Sequence, residues 1–580
     1  MLTQWDWILV AILNGSIVLY GLYLSGNVHS STDWFLAGRK LPWWLVGLSM
    51  YATAIDTSDL VADSGGTYNL GISFFIMNWV GVIGGWALAG FFIAIPMYRA
   101  GMYTNAEYLE ARFGPAARVL SALVQVQYRT SILAIIGGTV HLTLSVVCGW
   151  ETLACWLAVV LIAILASVYT ALGGLRSVAV TDSLQFLVML AASLILWTLV
   201  WNEVGGWTGV EKKLAAYDED VSIALLHAGH DNVERKSVTD LSPEEVNNRI
   251  ARFGGEYLKD QNVIEQRTSG WLVAVAFIIM GVSYSVVNHT QTMRLFGARS
   301  EWDLKMSIFV AGIVLLLMTF FNLSVGIMGR ALHPDQTLLP DGRQDTIYPL
   351  LVHELAPVGL KGIVVAGILA AALSTYDSIG ATLSSLLTRD VYARFVNRKG
   401  SDFHYLRTGQ IMTPLIIGGS FLYVPFLKGG MVQFFINISS VFVVPLLVLY
   451  VMGRFTGVHR RSGTIGLLVG AAYGVLRLIV EWTAWPLLPA FLMNQYGAYL
   501  YSMILTAGTM LLVSLLFGWE TKHQFFHQEQ DAWLRRSQEE AQQLQNVQGQ
   551  GAGDRSTRLP AILAVLVLAS GCVLSFWIFW

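Results

Sequence analysis

The chain is 580 residues long, 55% hydrophobic and 13% charged, with a mean hydropathy of +0.56. Soluble domains carry about 25% charged residues, so this composition excludes an ordinary soluble protein and points to a bundle of membrane helices. The 20 Trp and 55 Gly agree with that class. A formal net charge of −2 without a basic tract argues against a nucleic-acid partner. The three cysteines, Cys148, Cys155 and Cys572, have no metal-ligand spacing.

Apolar runs of spanning length occur near 5–25, 42–70, 72–98, 117–147, 151–172, 178–203, 269–292, 306–331, 347–388, 407–426, 429–452, 463–484, 496–518 and 560–580. They predict an all-α integral membrane protein of about fourteen spans. The first run has no cleavable signal pattern. With the N-terminus outside, the inner loops hold nearly all the short-loop Lys and Arg, such as Arg39, Arg118, Arg176, Arg294, Arg389 and Arg454. The outer loops hold little more than Arg343 and Lys428. The positive-inside rule selects that orientation, with both termini extracytoplasmic. Residues 204–268 then form an outer loop with helix-like pieces, and Ser242-Pro opens one of them with a cap. Residues 519–559 form a polar cytoplasmic loop and tether.

Three segments place chemistry inside the apolar runs. The second run holds Asp56, Asp59, Asp63 and Gly65-Gly66, which is the composition of a discontinuous helix with carbonyls exposed at mid-membrane. The competing reading puts Asp63 and the glycines in an outer loop. The inner turn Gly173-Gly-Leu-Arg176 leads into a helix whose first turns hold Thr181, Asp182 and Gln185. The ninth run contains Ala371-Ala-Leu-Ser-Thr-Tyr-Asp-Ser378. Ala371, Ser374 and Thr375 stand at i, i+3 and i+4, and Ser374, Asp377 and Ser378 repeat that spacing. One face thus carries hard oxygen ligands suited to an alkali cation. The plainer reading is that Ser374 and Thr375 bond back to their own helix. Asp377 or Asp182 also has the alternative of pairing with Arg129, an Arg inside the fourth run.

The segment Gly173-Gly-Leu…Ala179-Val-Thr-Asp-Ser-Leu-Gln185 resembles the signature of the sodium:solute symporter family, which includes sodium–glucose cotransporters and sodium–proline permeases. Ala371–Tyr392 resembles the second signature of that family. Leu41-Pro-Trp-Trp44, Tyr103–Phe113 and Met293-Arg-Leu-Phe-Gly-Ala-Arg299 also match, in order, across roughly residues 1–520. The resemblance implies a leucine-transporter-type core of inverted 5+5 repeats. Its segments would be an N-terminal helix and loop (1–41), repeat one (42–203), the outer loop (204–268), repeat two (269–452), peripheral helices (453–518), the cytoplasmic loop (519–559) and a last span (560–580).

By position, the resemblance implies a sodium site from the carbonyls of Ala52, Ile55 and Ala371 and the hydroxyls of Ser374 and Thr375. It also implies a second sodium site at Asp182, Ser374, Asp377 and Ser378, with Asp377 where a hydroxyl is usual. The sugar contacts of related transporters fall on Asp59, Asn78, Leu315 and Asn437, so the sugar set is not kept. Asp56 and Asp59 suit an amine, and Asn288, His289, Gln433 and Asn437 are further pocket groups with interhelical bonding as their alternative role.

The expected function is sodium-coupled import of a small polar organic solute, sugar- or polyol-like or amine-bearing, by alternating access. Sodium is the coupling ion and no organic cofactor is expected. The expected setting is a plasma membrane of bacterial inner-membrane type. A membrane solute sensor signalling through 519–559 is the alternative. A membrane enzyme lacks support, because no nucleophile elbow or metal-binding His pair appears.

Overall fold

The computed structural model describes residues 2–26, 30–238, 241–259, 262–429, 431–483, 488–520 and 558–580. Most of the polar segment 519–559 therefore lies outside the described residues. Among those described, 12 helices are long and apolar enough to cross a membrane.

The 12 differ from the apolar runs of the sequence at two places. The run 42–70 is two shorter helices, α2 (Trp43–Ala54) and α3 (Thr57–Leu70), which follow α1 (Gln4–Ser25). The runs 151–172 and 178–203 follow α4 (Pro115–Cys148) as one helical element, α5 (Thr152–Val204). Gly174 divides α5 with φ +60° and ψ −165°. A Cβ there would lie 2.6 Å from the Trp34 carbonyl oxygen, so both conformation and space demand glycine. This is where the Gly-Gly turn was expected.

The break after α2 is written in the sequence as Asp56-x-x-Asp59. Asp56 is the N-cap of α3, and its carboxylate accepts the Ser58 N–H at 2.7 Å and bonds the Asp59 N–H. Asp59 reaches back and accepts the Asp56 N–H at 2.7 Å. This reciprocal capping box starts a new helix in the protein interior. It also keeps Asp63 and Gly65-Gly66 inside α3, which settles against the outer-loop reading.

The second half of the chain repeats the device. Helix α7 (Gly270–Val287) stops at Asn288, whose side chain accepts the Thr290 N–H at 3.0 Å and caps α8 (His289–Phe296). The long helix α9 (Glu301–Leu332) packs along α2 and α3, and α10 (Leu360–Leu386) packs along α5. The helix α11 is Met431–Phe455.

Burial separates core from periphery. In the most apolar window of Leu360–Val396, 94% of residues are buried, against 22% for Gln4–Ser25 and for Leu559–Ile578. A helix so enclosed can carry polar groups that lipid would not tolerate.

The fold is not wholly α. Residues 204–268 hold a three-stranded antiparallel sheet, β1 (Asn232–Ser237), β2 (Glu256–Leu258) and β3 (Val263–Thr268), in the order β1–β3–β2. These strands are short and lie among turn residues, so their apolar patterning was too weak to read in the sequence. The helix expected at Ser242-Pro is present as α6 (Pro243–Phe253), with a capping box between Ser242 and Glu245.

Candidate functional site

Two breaks and one buried helix build the centre. In an unbroken helix the Ala52 carbonyl would accept the Asp56 N–H, and the Ile55 carbonyl the Asp59 N–H. The capping box takes both N–H groups onto carboxylates. Both carbonyls are thereby released from the helix ladder. The Ser374 hydroxyl donates to the Ala52 carbonyl at 3.0 Å and to the Ala371 carbonyl at 3.0 Å. The Thr375 hydroxyl donates to the Ala371 carbonyl at 3.2 Å. Four of the five oxygens named for sodium are thus joined by direct hydrogen bonds across α2 and α10. Ile55, the fifth, is the non-helical residue at the break, with φ −108° and ψ 109°. Ser374 and Thr375 do bond back to their own helix, and Ser374 also bridges to α2.

One turn further along α10 lies a second buried polar group. Asp182 accepts hydrogen bonds from Arg294 Nη2 at 2.9 Å and from the hydroxyls of Ser49 and Thr53. Arg294 also donates to Ser49 Oγ at 2.7 Å, to the Thr290 carbonyl at 2.8 Å and to the Ser378 hydroxyl. Asp377 accepts from the Tyr169 hydroxyl and, at 2.9 Å, from Ser378. Asp182 and Arg294 are fully buried.

This corrects two expectations. Arg294 is not an inner-loop charge but a buried residue of α8, and the partner of Asp182 is Arg294 rather than Arg129. Its spacing was visible in Met293-Arg-Leu-Phe-Gly-Ala-Arg299. The missed signal was that the half-helix start at Asn288 carries Arg294 inward.

Between α3, α4 and α7 lies a narrow cavity of about 40 Å³. Asp56, Asp59 and Asp63 line it from α3, and Arg129 lines it from α4. Asn78 and Leu315, two of the sugar-contact positions, also line it. Charged and amide groups set in an apolar wall are the lining of a ligand site, although the space left in this conformation is smaller than a sugar.

The remaining candidates fall elsewhere. Asn288 is the cap of α8 and is not among the lining residues, and buried His289 is not either. Asn437 on α11 donates to Glu481 at 3.1 Å and accepts from Arg477 at 2.8 Å, the interhelical role that was its alternative. The Gln433 side chain lies outside the described residues.

At the other end of α4, Arg118 forms ion pairs with Glu110 and Asp390 at 2.6 Å each, and Arg394 pairs with Glu110 at 2.8 Å. Burial alone would raise the Glu110 carboxyl, but Arg118 and Arg394 hold it below the usual carboxylate range. The group clamps the start of α4 to the end of the Leu360–Val396 span.

Known proteins agree with this architecture. The chain is 25% identical over 534 residues to sodium/glucose cotransporter 4 of Danio rerio, covering 86% of this chain and 76% of that protein. It is 28% identical over 490 residues to solute carrier family 5 member 4B of Mus musculus, with 80% and 70% covered. Sodium/glucose cotransporter 1 of Mus musculus is 27% identical over 495 residues, with 80% and 70% covered.

Two solved structures share the fold. The substrate-bound outward-open state of a Na+-coupled sialic acid symporter aligns with a TM-score of 0.70 at 18% identity, covering 90% of this chain and 99% of that one. A nucleobase-cation-symport-1 family transporter, in a closed conformation with bromovinylhydantoin bound, aligns with a TM-score of 0.50 at 13% identity, covering 88% and 99%. The model of the sodium:solute symporter family matches residues 34–474. With its paired helix breaks and buried oxygen cluster, the chain belongs to the sodium:solute symporter family and is a multi-pass membrane transporter coupled to sodium, not an enzyme.

Proposed function

We propose that the chain imports a small polar organic solute, sugar- or polyol-like or amine-bearing, by alternating access. Sodium would bind the carbonyls of Ala52, Ile55 and Ala371 and the hydroxyls of Ser374 and Thr375. The observation that carries this is the hydrogen-bonded convergence of Ala52, Ala371, Ser374 and Thr375 beside a helix break. Each hydroxyl that rotates toward a cation gives up a bond to a carbonyl, and that carbonyl gains a free lone pair. Sodium would then cross-link α2 to α10 more strongly than the hydroxyls alone, and its binding favours one arrangement of the two helices. The repeats would comprise 42–203 and 269–452.

The solute would occupy the cavity lined by Asp56, Asp59 and Asn78, next to the same helix break. A second sodium at Asp182, Ser374, Asp377 and Ser378 would meet Arg294 there. It would enter only as the guanidinium withdraws from Asp182, so occupancy of the two is mutually exclusive at that carboxylate.

Uptake into proteoliposomes tests the main site. Ser374→Ala or Thr375→Ala is expected to raise the sodium concentration for half-maximal uptake about tenfold, equivalent to about 1.4 kcal/mol for one lost ligand. Unchanged sodium dependence in both variants would remove this site.

The proposed setting is a bacterial inner membrane with both termini outside. A cysteine placed within 215–260 is expected to react with an impermeant thiol reagent on intact cells. One placed within 525–550 should react only after permeabilisation. The reverse pattern inverts the orientation.

A further inference from the structure

We propose that the solute is dipolar, with a cationic nitrogen held by Asp59 and Asp63 and an oxyanion held by Arg129. This rests on the cavity being the solute site. Asp56, Asp59 and Asp63 follow helical spacing along α3 and present three carboxylates to one enclosed space. Two of them are partly engaged locally, because Asp56 and Asp59 exchange the capping bonds that start α3. Asp63 lies beyond that box; its carboxyl meets that of Asp59, and its Oδ2 has no hydrogen-bond partner among the described residues.

Arg129 faces the same cavity from α4 and is 2% exposed. Its guanidinium sits over the Tyr284 ring at 5.6 Å, and its Nε has no hydrogen-bond partner among the described residues. Arg129 forms no ion pair among the described residues.

A buried carboxylate oxygen and a buried guanidinium that face one cavity without pairing are costly unless a ligand pairs with both. A neutral sugar satisfies their hydrogen bonds but leaves both charges desolvated and uncompensated. A solute with a cationic and an anionic group compensates both. The apolar wall of Met77, Ile132, Met280 and Leu315 faces the solute's carbon skeleton.

Purified full-length protein in sodium is titrated, by thermal stabilisation, with probes of four charge classes. They are glucose and inositol, glucosamine and putrescine, glucuronate and shikimate, and muramic acid and lysine. Muramic acid or lysine is expected to bind most tightly and the amine-only probes next. Asp63→Asn should weaken every amine probe at least about thirtyfold, as for one partner lost from a desolvated charge pair. Arg129→Gln should weaken the dipolar probes as much and leave glucosamine within about threefold. Arg129→Lys, which keeps the charge, is the second variant should Arg129→Gln fail to fold. The proposal is overturned if neither dipolar probe stabilises the protein, if a neutral probe binds best, or if Asp63→Asn leaves lysine affinity unchanged. Sodium-driven counterflow of a neutral sugar that survives Arg129→Gln leaves the transport function standing and removes the dipolar substrate. Tight binding of muramic acid or lysine without sodium-driven counterflow does the opposite.

Discussion

Replacing Gly326 by alanine is expected to abolish assembly of the folded transporter. Gly326 lies on α9 where it crosses α3, and a Cβ there would stand 2.0 Å from the Ser64 carbonyl oxygen and 2.1 Å from Thr67 Oγ1. The first obstacle is backbone, so no side chain can turn aside. The two helices must separate, and overpacking of this kind costs about 1–3 kcal/mol where neighbours relax and more where they do not. Small residues let membrane helices approach closely, and the energy of that contact comes from packing. The separation would also disturb the hydrogen bonds from Thr67 to the Leu323 carbonyl at 2.8 Å and from Ser64 to the Asn322 carbonyl at 3.3 Å. Monodisperse yield and thermal unfolding in detergent report the effect. Gly508→Ala is the control, because nothing lies within 4 Å of the added Cβ. Equal behaviour of the two variants would show that α9 and α3 are not in this close contact.

The second large effect is expected at Asp182 and Arg294. Both side chains are fully buried and 2.9 Å apart. Removing one partner leaves a desolvated charge, so Asp182→Asn or Arg294→Ala should each destabilise by about 3–5 kcal/mol. Asp182→Asn combined with Arg294→Gln removes both charges and should recover much of that loss. Recovery in the double variant, read as a rise in the unfolding midpoint over either single variant, measures the coupling. Strict additivity would mean that the charges do not interact. The same variants report on ion binding. If Arg294 competes with sodium at Asp182, Arg294→Gln alone should increase the sodium dependence of thermal stabilisation.

Much of this protein was legible in its sequence. Hydrophobic runs of spanning length announce membrane helices, because lipid admits only segments that satisfy their own backbone. The break in the second run was legible too, since Asp56 and Asp59 at i and i+3 are a capping signal that no lipid-facing helix would carry. Helical spacing also placed Ser374 and Thr375 on one face with Ala371, and the fold joins them to Ala52 through a single hydrogen bond.

Partner choice was not legible. The sequence offered Arg129 as a partner for Asp182 and read Arg294 as an inner-loop charge, because spacing along the chain says nothing about which helix lies against which. Only the packing of α8 against α2 brings Arg294 to Ser49 and Asp182, and leaves Arg129 facing the cavity instead. The same holds for Asn437, whose position suggested a ligand contact until α11 met Arg477 and Glu481. The sheet of residues 232–268 escaped notice because six-residue strands carry little periodic signal. Local propensity and hydrophobic pattern are properties of neighbours in sequence. Asp182 and Arg294 are 112 positions apart, and their contact exists only once the helices have packed.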